Sequence, residues 1–214
     1  MVRIHARLAV GWRFVGIAAL FAALVLVFAG LTAAQEAAES KPKASDQPLT
    51  AEQLAVYRIV LHGCIENEVS TINLSVQTIP FPTSGAFDAG DCGKDLNLEP
   101  VEPGIVHRFR PADLPQLGSD KIGLVDPERQ RNAVAENDPG KTIGEGRSIE
   151  DAVRNGFAHG LVTVSEIRFD KEHKHAIISY GFYCGSLCGN GGTVILEKVD
   201  GAWRRKSRCS NWIS

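Results

Sequence analysis

Four strand-like runs crowd the end of the chain, at residues 161–169, 175–184, 193–199 and 202–213, and this arrangement constrains the fold more than any other feature. The links between them are residues 170–174, residues 185–192 and the dipeptide Asp200-Gly201, a favoured two-residue hairpin turn. Parallel neighbours need a crossover of about a dozen residues or more, so this region is expected to be an antiparallel meander.

The link between the second and third runs is the stretch CGSLCGNGG, residues 184–192. Glycine at 185, 189, 191 and 192 predicts a sharply bent loop, because glycine visits positive φ without a steric penalty. Cys184 and Cys188 then read as the cross-link of a hairpin tip. A thioredoxin-type redox site has two residues between its cysteines and this stretch has three, which weighs against redox chemistry. Pairing Val199 with Ala202 and counting outward puts Cys209 opposite Gly192, at the same end of the sheet. Two readings of that cluster stand side by side: a disulfide with a spare thiol, or three thiolates of a metal site lacking its fourth ligand. His173 and His175 belong to the turn at the other end, more than ~25 Å of strand away, and read as a hydrated tip.

Upstream, Thr50 and Gln53 form a capping box, and Leu54, Tyr57, Leu61 and Ile65 recur along one helical face. Ile72, Leu74 and Val76 alternate with polar residues, the period of a half-buried strand. Residues 80–146 read as a long irregular excursion, with a short helix after Asp126-Pro127. Ser148 with Asp151 starts a further helix that stops at Gly160. The fold class is therefore α+β: a β-meander of about four C-terminal strands plus one N-terminal strand, packed on an N-terminal helix, in one domain over residues 50–214.

Ahead of the domain, Arg3, Arg7 and Arg13 precede or flank an uncharged apolar run at 14–31, and Thr32-Ala33-Ala34 offers a cleavage site. Residues 1–34 read as a signal peptide, with an N-terminal anchor through 14–31 as the rival, and 35–49 as a disordered linker. The domain is thus expected to be periplasmic or secreted, or tethered to the inner membrane if the segment stays uncleaved. The chain has 23 Lys and Arg, so losing those three arginines leaves 20 against 25 Asp and Glu, a net charge of −5. A mildly acidic chain argues against a nucleic-acid partner. Five cysteines in an oxidising compartment leave at least one outside any disulfide. A bridge between Cys64, at the helix end, and Cys92, in the following loop, would tie those two segments together.

Recognisable chemistry is sparse. The chain lacks a G-x-S-x-G elbow, an H-E-x-x-H pair, a P-loop and a post-strand G-x-G-x-x-G, so no catalytic residue, cofactor or metal is assigned. Arg204, Lys206 and Arg208 alternate onto one face of the last run, either as charge that protects a sheet edge or as a patch for anionic envelope material. The expected function is a non-catalytic extracytoplasmic binding or structural module for an unknown envelope protein or ligand. The alternatives are an envelope enzyme such as a hydrolase and a metal-binding protein using the cysteine cluster.

S-E-I-R-F-D at 165–170, A-I-I-S-Y at 176–180, C-G-S-L-C-G-N-G at 184–191, L-E-K-V-D-G-A-W at 196–203 and the closing N-W-I-S resemble a group of uncharacterised exported bacterial proteins. The resemblance implies an envelope location and the paired loop cysteines, and it brings no activity. Cys209 and the Cys64/Cys92 pair depart from the group's pattern, which makes that bridge an added staple and Cys209 the odd thiol.

Overall fold

A computed structural model of the protein describes residues 42–65, 71–82, 92–100 and 104–214. The apolar run 14–31 and its expected cleavage site lie outside the described residues. No helix among the described residues is long and apolar enough to cross a membrane.

Helix α1 (Ala51–Ile65) begins where the capping box predicts. The Gln53 side chain accepts from the Thr50 N–H at 2.8 Å and Thr50 Oγ1 accepts from the Gln53 N–H at 3.2 Å, satisfying two donors that a bare helix start would leave unpaired. Leu54, Val56, Tyr57, Val60 and Leu61 are all buried on it. They pack on a sheet built from β2 (Ile72–Ser75), β4 (Ile122–Val125), β5 (Leu161–Val164), β6 (Arg168–Phe169), β7 (His175–Gly185), β8 (Cys188–Val199) and β9 (Ala202–Ile213). The strand order is β4-β2-β5-β7-β8-β9, with β6 paired to β7. β8 pairs antiparallel with β7 on one side and with β9 on the other, and β5 and β6 each pair antiparallel with β7, so the α+β class and its meander stand. Core residues Val162, Val164, Ile178, Val194, Leu196 and Trp203 meet α1, each buried aliphatic side chain contributing roughly 1.5–3 kcal/mol.

The other half of the sheet departs from the sequence reading. β2 is an interior strand, parallel to β4 on one side and to β5 on the other. The stretch 80–146, expected to be irregular, supplies β3 (Ile105–Val106), α2 (Leu114–Leu117), β4, α3 (Pro127–Glu136) and α4 (Pro139–Gly144). Helices α3, α4 and α5 (Ile149–His159) form the crossover that parallel β4 and β5 require. Asp126, Asp138 and Ser148 cap these three helices through their side chains. The last part of the expected linker is also structured: β1 (Lys43–Ala44) pairs in parallel with β3, and Leu49 is buried in the core.

The glycine-rich stretch is shorter as a turn than its composition suggests. Only Ser186 and Leu187 separate β7 from β8, and Gly189, Gly191 and Gly192 lie within β8. Their role is close approach: a Cβ at 191 would strike the Tyr180 carbonyl and the Trp212 ring, and one at 192 the Ser210 carbonyl. Asp138, the α4 cap, also accepts from the Ser186 N–H at 2.7 Å, so the same carboxylate fixes the helix start and the hairpin tip. The Ser186 hydrogen bond is the main reason its carboxyl sits below the usual range.

Candidate functional site

The last strand carries two irregularities that decide where its charges go. Counting from the Val199–Ala202 pair, Leu196 opposes Arg205 while Ile195 opposes Ser207, so Lys206 is an extra residue; Val194 opposes Arg208 while Thr193 opposes Ser210, so Cys209 is another. Each bulge shifts the inside-outside alternation by one residue. Arg204, Lys206 and Arg208 therefore do not share a face, which corrects the simple period-two reading. Arg205 and Arg208 stand opposite core residues Leu196 and Val194, on the side of α1. Lys206 lies on the other side, with Nζ 3.4 Å from Glu197 Oε2 and 3.1 Å from His175 Nε2.

The same bulge re-aims Cys209. It bonds Cys92, and Cys184 bonds Cys188. The expected Cys64–Cys92 bridge and the expected odd thiol at Cys209 are thus both overturned, and Cys64 is the cysteine outside the two bridges. The physical reason is that the sheet stands between them. Cys64 packs against the core beneath α1, whereas the chain after Cys92 crosses the opposite face, where a Cβ on Gly93 would collide with Ile177 Cδ1. With both pairs oxidised, the three-thiolate metal reading has no ligands left. Among the described residues no group of three or more His, Cys, Asp or Glu is disposed to hold a metal ion.

Where α1 ends before the sheet does, a groove of about 340 Å³ opens on the α1 face. It is lined by Gly63 and Cys64 at the helix end, by Ile72, Val162, Tyr180 and Phe182, and by Asn190, Arg208, Asn211 and Ile213 on the last two strands. A groove of this size falls within the range of small-molecule sites, and its lining mixes apolar side chains with polar ones. Arg205 lies at its rim, because a Cβ on Gly63 would run into the Arg205 guanidinium.

A second, smaller cavity of about 230 Å³ is lined by His107, Glu166, Arg168, Glu99 and Phe169 among others. Glu166 is buried, and its carboxylate accepts from the Thr78 hydroxyl, from the His107 N–H at 2.8 Å and from His107 Nδ1 at 2.9 Å. Holding Nδ1 in this way leaves Nε2 as the basic nitrogen. Tyr57, wholly buried beside this cluster, donates to the Ser165 carbonyl at 3.1 Å. Burial, and then the nearby Glu166 charge, push its hydroxyl well above the ordinary tyrosine value. No sequence spacing could have revealed this cluster, since its members come from three separate segments.

The expected hydrated tip is a pair of histidine–carboxylate clusters. His173 stacks on Phe169 and lies 2.9 Å from Glu52 Oε2 and 3.4 Å from Glu99 Oε1, while His175 lies 2.9 Å from Asp170 Oδ2. The hydrogen bond to Glu52 is the largest cause of a raised His173 pKa. Elsewhere, Ile149, Val153 and Phe157 form an exposed apolar stripe on α5, and Leu187 at the hairpin tip is 76% exposed.

Comparison with known proteins returned no family model, no curated protein and no solved structure that matches the chain.

Proposed function

We propose that the protein is an exported, disulfide-stapled binding module whose ligand site is the groove at the end of α1. The single observation that carries this reading is the groove itself: about 340 Å³, lined by apolar residues such as Ile72, Val162 and Phe182 together with Arg208, Asn190 and Asn211. Two disulfides, one closing a span of 117 residues, suit a protein that folds in an oxidising compartment. The apolar run at 14–31 and the resemblance to exported bacterial proteins support the same location.

The test is a thermal-shift comparison of the wild-type protein with Asn190→Trp, which fills the groove, against small-molecule fractions of a bacterial envelope extract. Ligand binding to the folded state raises stability by about 2.7 kcal/mol at 100 times Kd. Wild-type protein should be stabilised by at least one fraction and Asn190→Trp by none of those fractions. An equal response of the two proteins contradicts the proposal.

A second reading, an envelope hydrolase, is favoured by one observation: the Glu166–His107 pair on the wall of the smaller cavity. There His107 Nε2 takes a proton from water as the water attacks an acyl carbon, Glu166 holds the resulting imidazolium, and the tetrahedral intermediate collapses with cleavage of the acyl C–O bond, the imidazolium returning its proton to the departing alkoxide. This reading predicts hydrolysis of an activated ester such as p-nitrophenyl acetate that is lost in His107→Ala and kept in Asn190→Trp.

A further inference from the structure

We infer that the groove takes an anionic amphiphile, an apolar chain or ring ending in a carboxylate or phosphate, with Arg205 and Arg208 holding the charged head; this rests on the groove being the ligand site. Three observations converge. The bulge at Lys206 brings Arg205 and Arg208, three positions apart, onto the same side of β9, where a regular strand would put them on opposite sides. That side is the groove side: Arg208 lines it, and the Arg205 guanidinium rests against Gly63 of its helical wall.

Neither guanidinium pairs with a carboxylate among the described residues. Lys206, between them on the same strand, faces the other way and pairs with Glu197 at 3.4 Å. Two guanidinium groups beside a groove whose other lining includes Ile72, Val162 and Phe182 complement a ligand that is apolar at one end and anionic at the other. Guanidinium meets carboxylate and phosphate oxygens through two parallel N–H donors, which a point cation cannot do. The Asn190 and Asn211 side chains, also in the lining, offer further donors. Ile72, Val162 and Phe182, which line the same groove, offer no partner for a polar tail, so a fully polar anion would leave this surface in water. The surrounding domain carries more acid than base, so these arginines are a local feature and not part of a broadly basic surface.

Isothermal titration of the full-length exported protein with decanoate, decyl phosphate, decanol and inorganic phosphate tests this. Decanoate and decyl phosphate should bind. The double variant Arg205→Gln/Arg208→Gln should weaken both by ~10-fold or more, about 1.4 kcal/mol, while leaving any decanol binding unchanged. Far-UV circular dichroism checks that the variant is folded. If it is not, Arg208→Lys keeps the charge, loses the fork and should still weaken both anions. Decanol binding as tightly as decanoate, or an arginine variant with wild-type affinity, overturns the head-group assignment and leaves the groove reading standing. Inorganic phosphate binding as tightly as decyl phosphate means a bare anion site and overturns the amphiphile. Silence from all four probes overturns the inference, whereas the groove reading fails separately, only if Asn190→Trp is indifferent to its own test.

Discussion

The two halves of the sheet obey different rules. From β7 to β9 each strand pairs with its neighbour in sequence through a link of two residues, Ser186-Leu187 and then Asp200-Gly201. From β2 to β5 every pairing is parallel and non-local, with Leu74 beside Leu124 on one side and Val162 on the other. The first half is organised by turns and the second by long crossovers, so contacts that join them matter more than contacts within either. Two such joints are visible. Cys92–Cys209 ties the segment before β3 to the last strand, and Glu166 gathers Thr78, beyond β2, and His107, beyond β3, around the chain between β5 and β6.

Breaking the joints should therefore cost more than breaking the meander's own staple. Closing a loop of 117 residues constrains the unfolded chain by ~5 kcal/mol in the loop-entropy account, so Cys92→Ser/Cys209→Ser should show the largest loss of stability in urea unfolding. Glu166→Ala comes next, at roughly 3 kcal/mol, because it leaves the Thr78 hydroxyl, the His107 N–H and the imidazole without their shared acceptor. Cys184→Ser/Cys188→Ser closes only a four-residue separation and should cost ~2 kcal/mol. A short-bridge variant that proved less stable than the long-bridge variant would invert the comparison.

The smallest effect sharpens the comparison at the tip of the meander. His173 is bound by Glu52 of α1, and its pKa is raised chiefly by that hydrogen bond. Its contribution to stability is therefore complete below the unfolded value of about 6.5 and is lost as pH rises through the higher folded value. The side chain is 42% exposed, so after solvent screening the contribution is under about 1 kcal/mol. Unfolding between pH 6 and 8 should show this slope in the wild-type protein and a flatter one in His173→Gln. Glu52 moves the other way. Burial raises its pKa, but hydrogen bonds from Lys198 and His173 outweigh that, so its contribution disappears only as pH falls below the carboxylate range and does not confuse the histidine window.

The meander, α1 and the starts of α3 and α5 are legible in the sequence because each depends on residues close together: the Thr50–Gln53 box, Asp126-Pro127, Ser148 with Asp151, and Asp200-Gly201. β4 is four residues, Ile122–Val125, with a glycine inside it, too short for a period to show. The parallel placement of β2 depends on partners far away in the chain. The bulges at Lys206 and Cys209 leave no mark in a run of charged and small residues, yet the first moves Ser207 and Arg208 to the other face and the second restores the alternation from Ser210 on. That single loss of register accounts for both errors on β9, the supposed Arg204, Lys206, Arg208 patch and the supposed odd thiol. The groove escaped notice for the same reason, since Arg208 joins Val162 and Phe182 only once the register is known.

The register of β9 is thus the central claim, and disulfide mapping tests it most directly. The protein, purified without reductant, is alkylated without reduction, digested, and its linked peptides are identified by mass spectrometry. Bridges 92–209 and 184–188, with the Cys64 peptide outside both, are the expected result. A 64–92 bridge with Cys209 alkylated would contradict the register, and with it the placement of Arg205 and Arg208 over the groove.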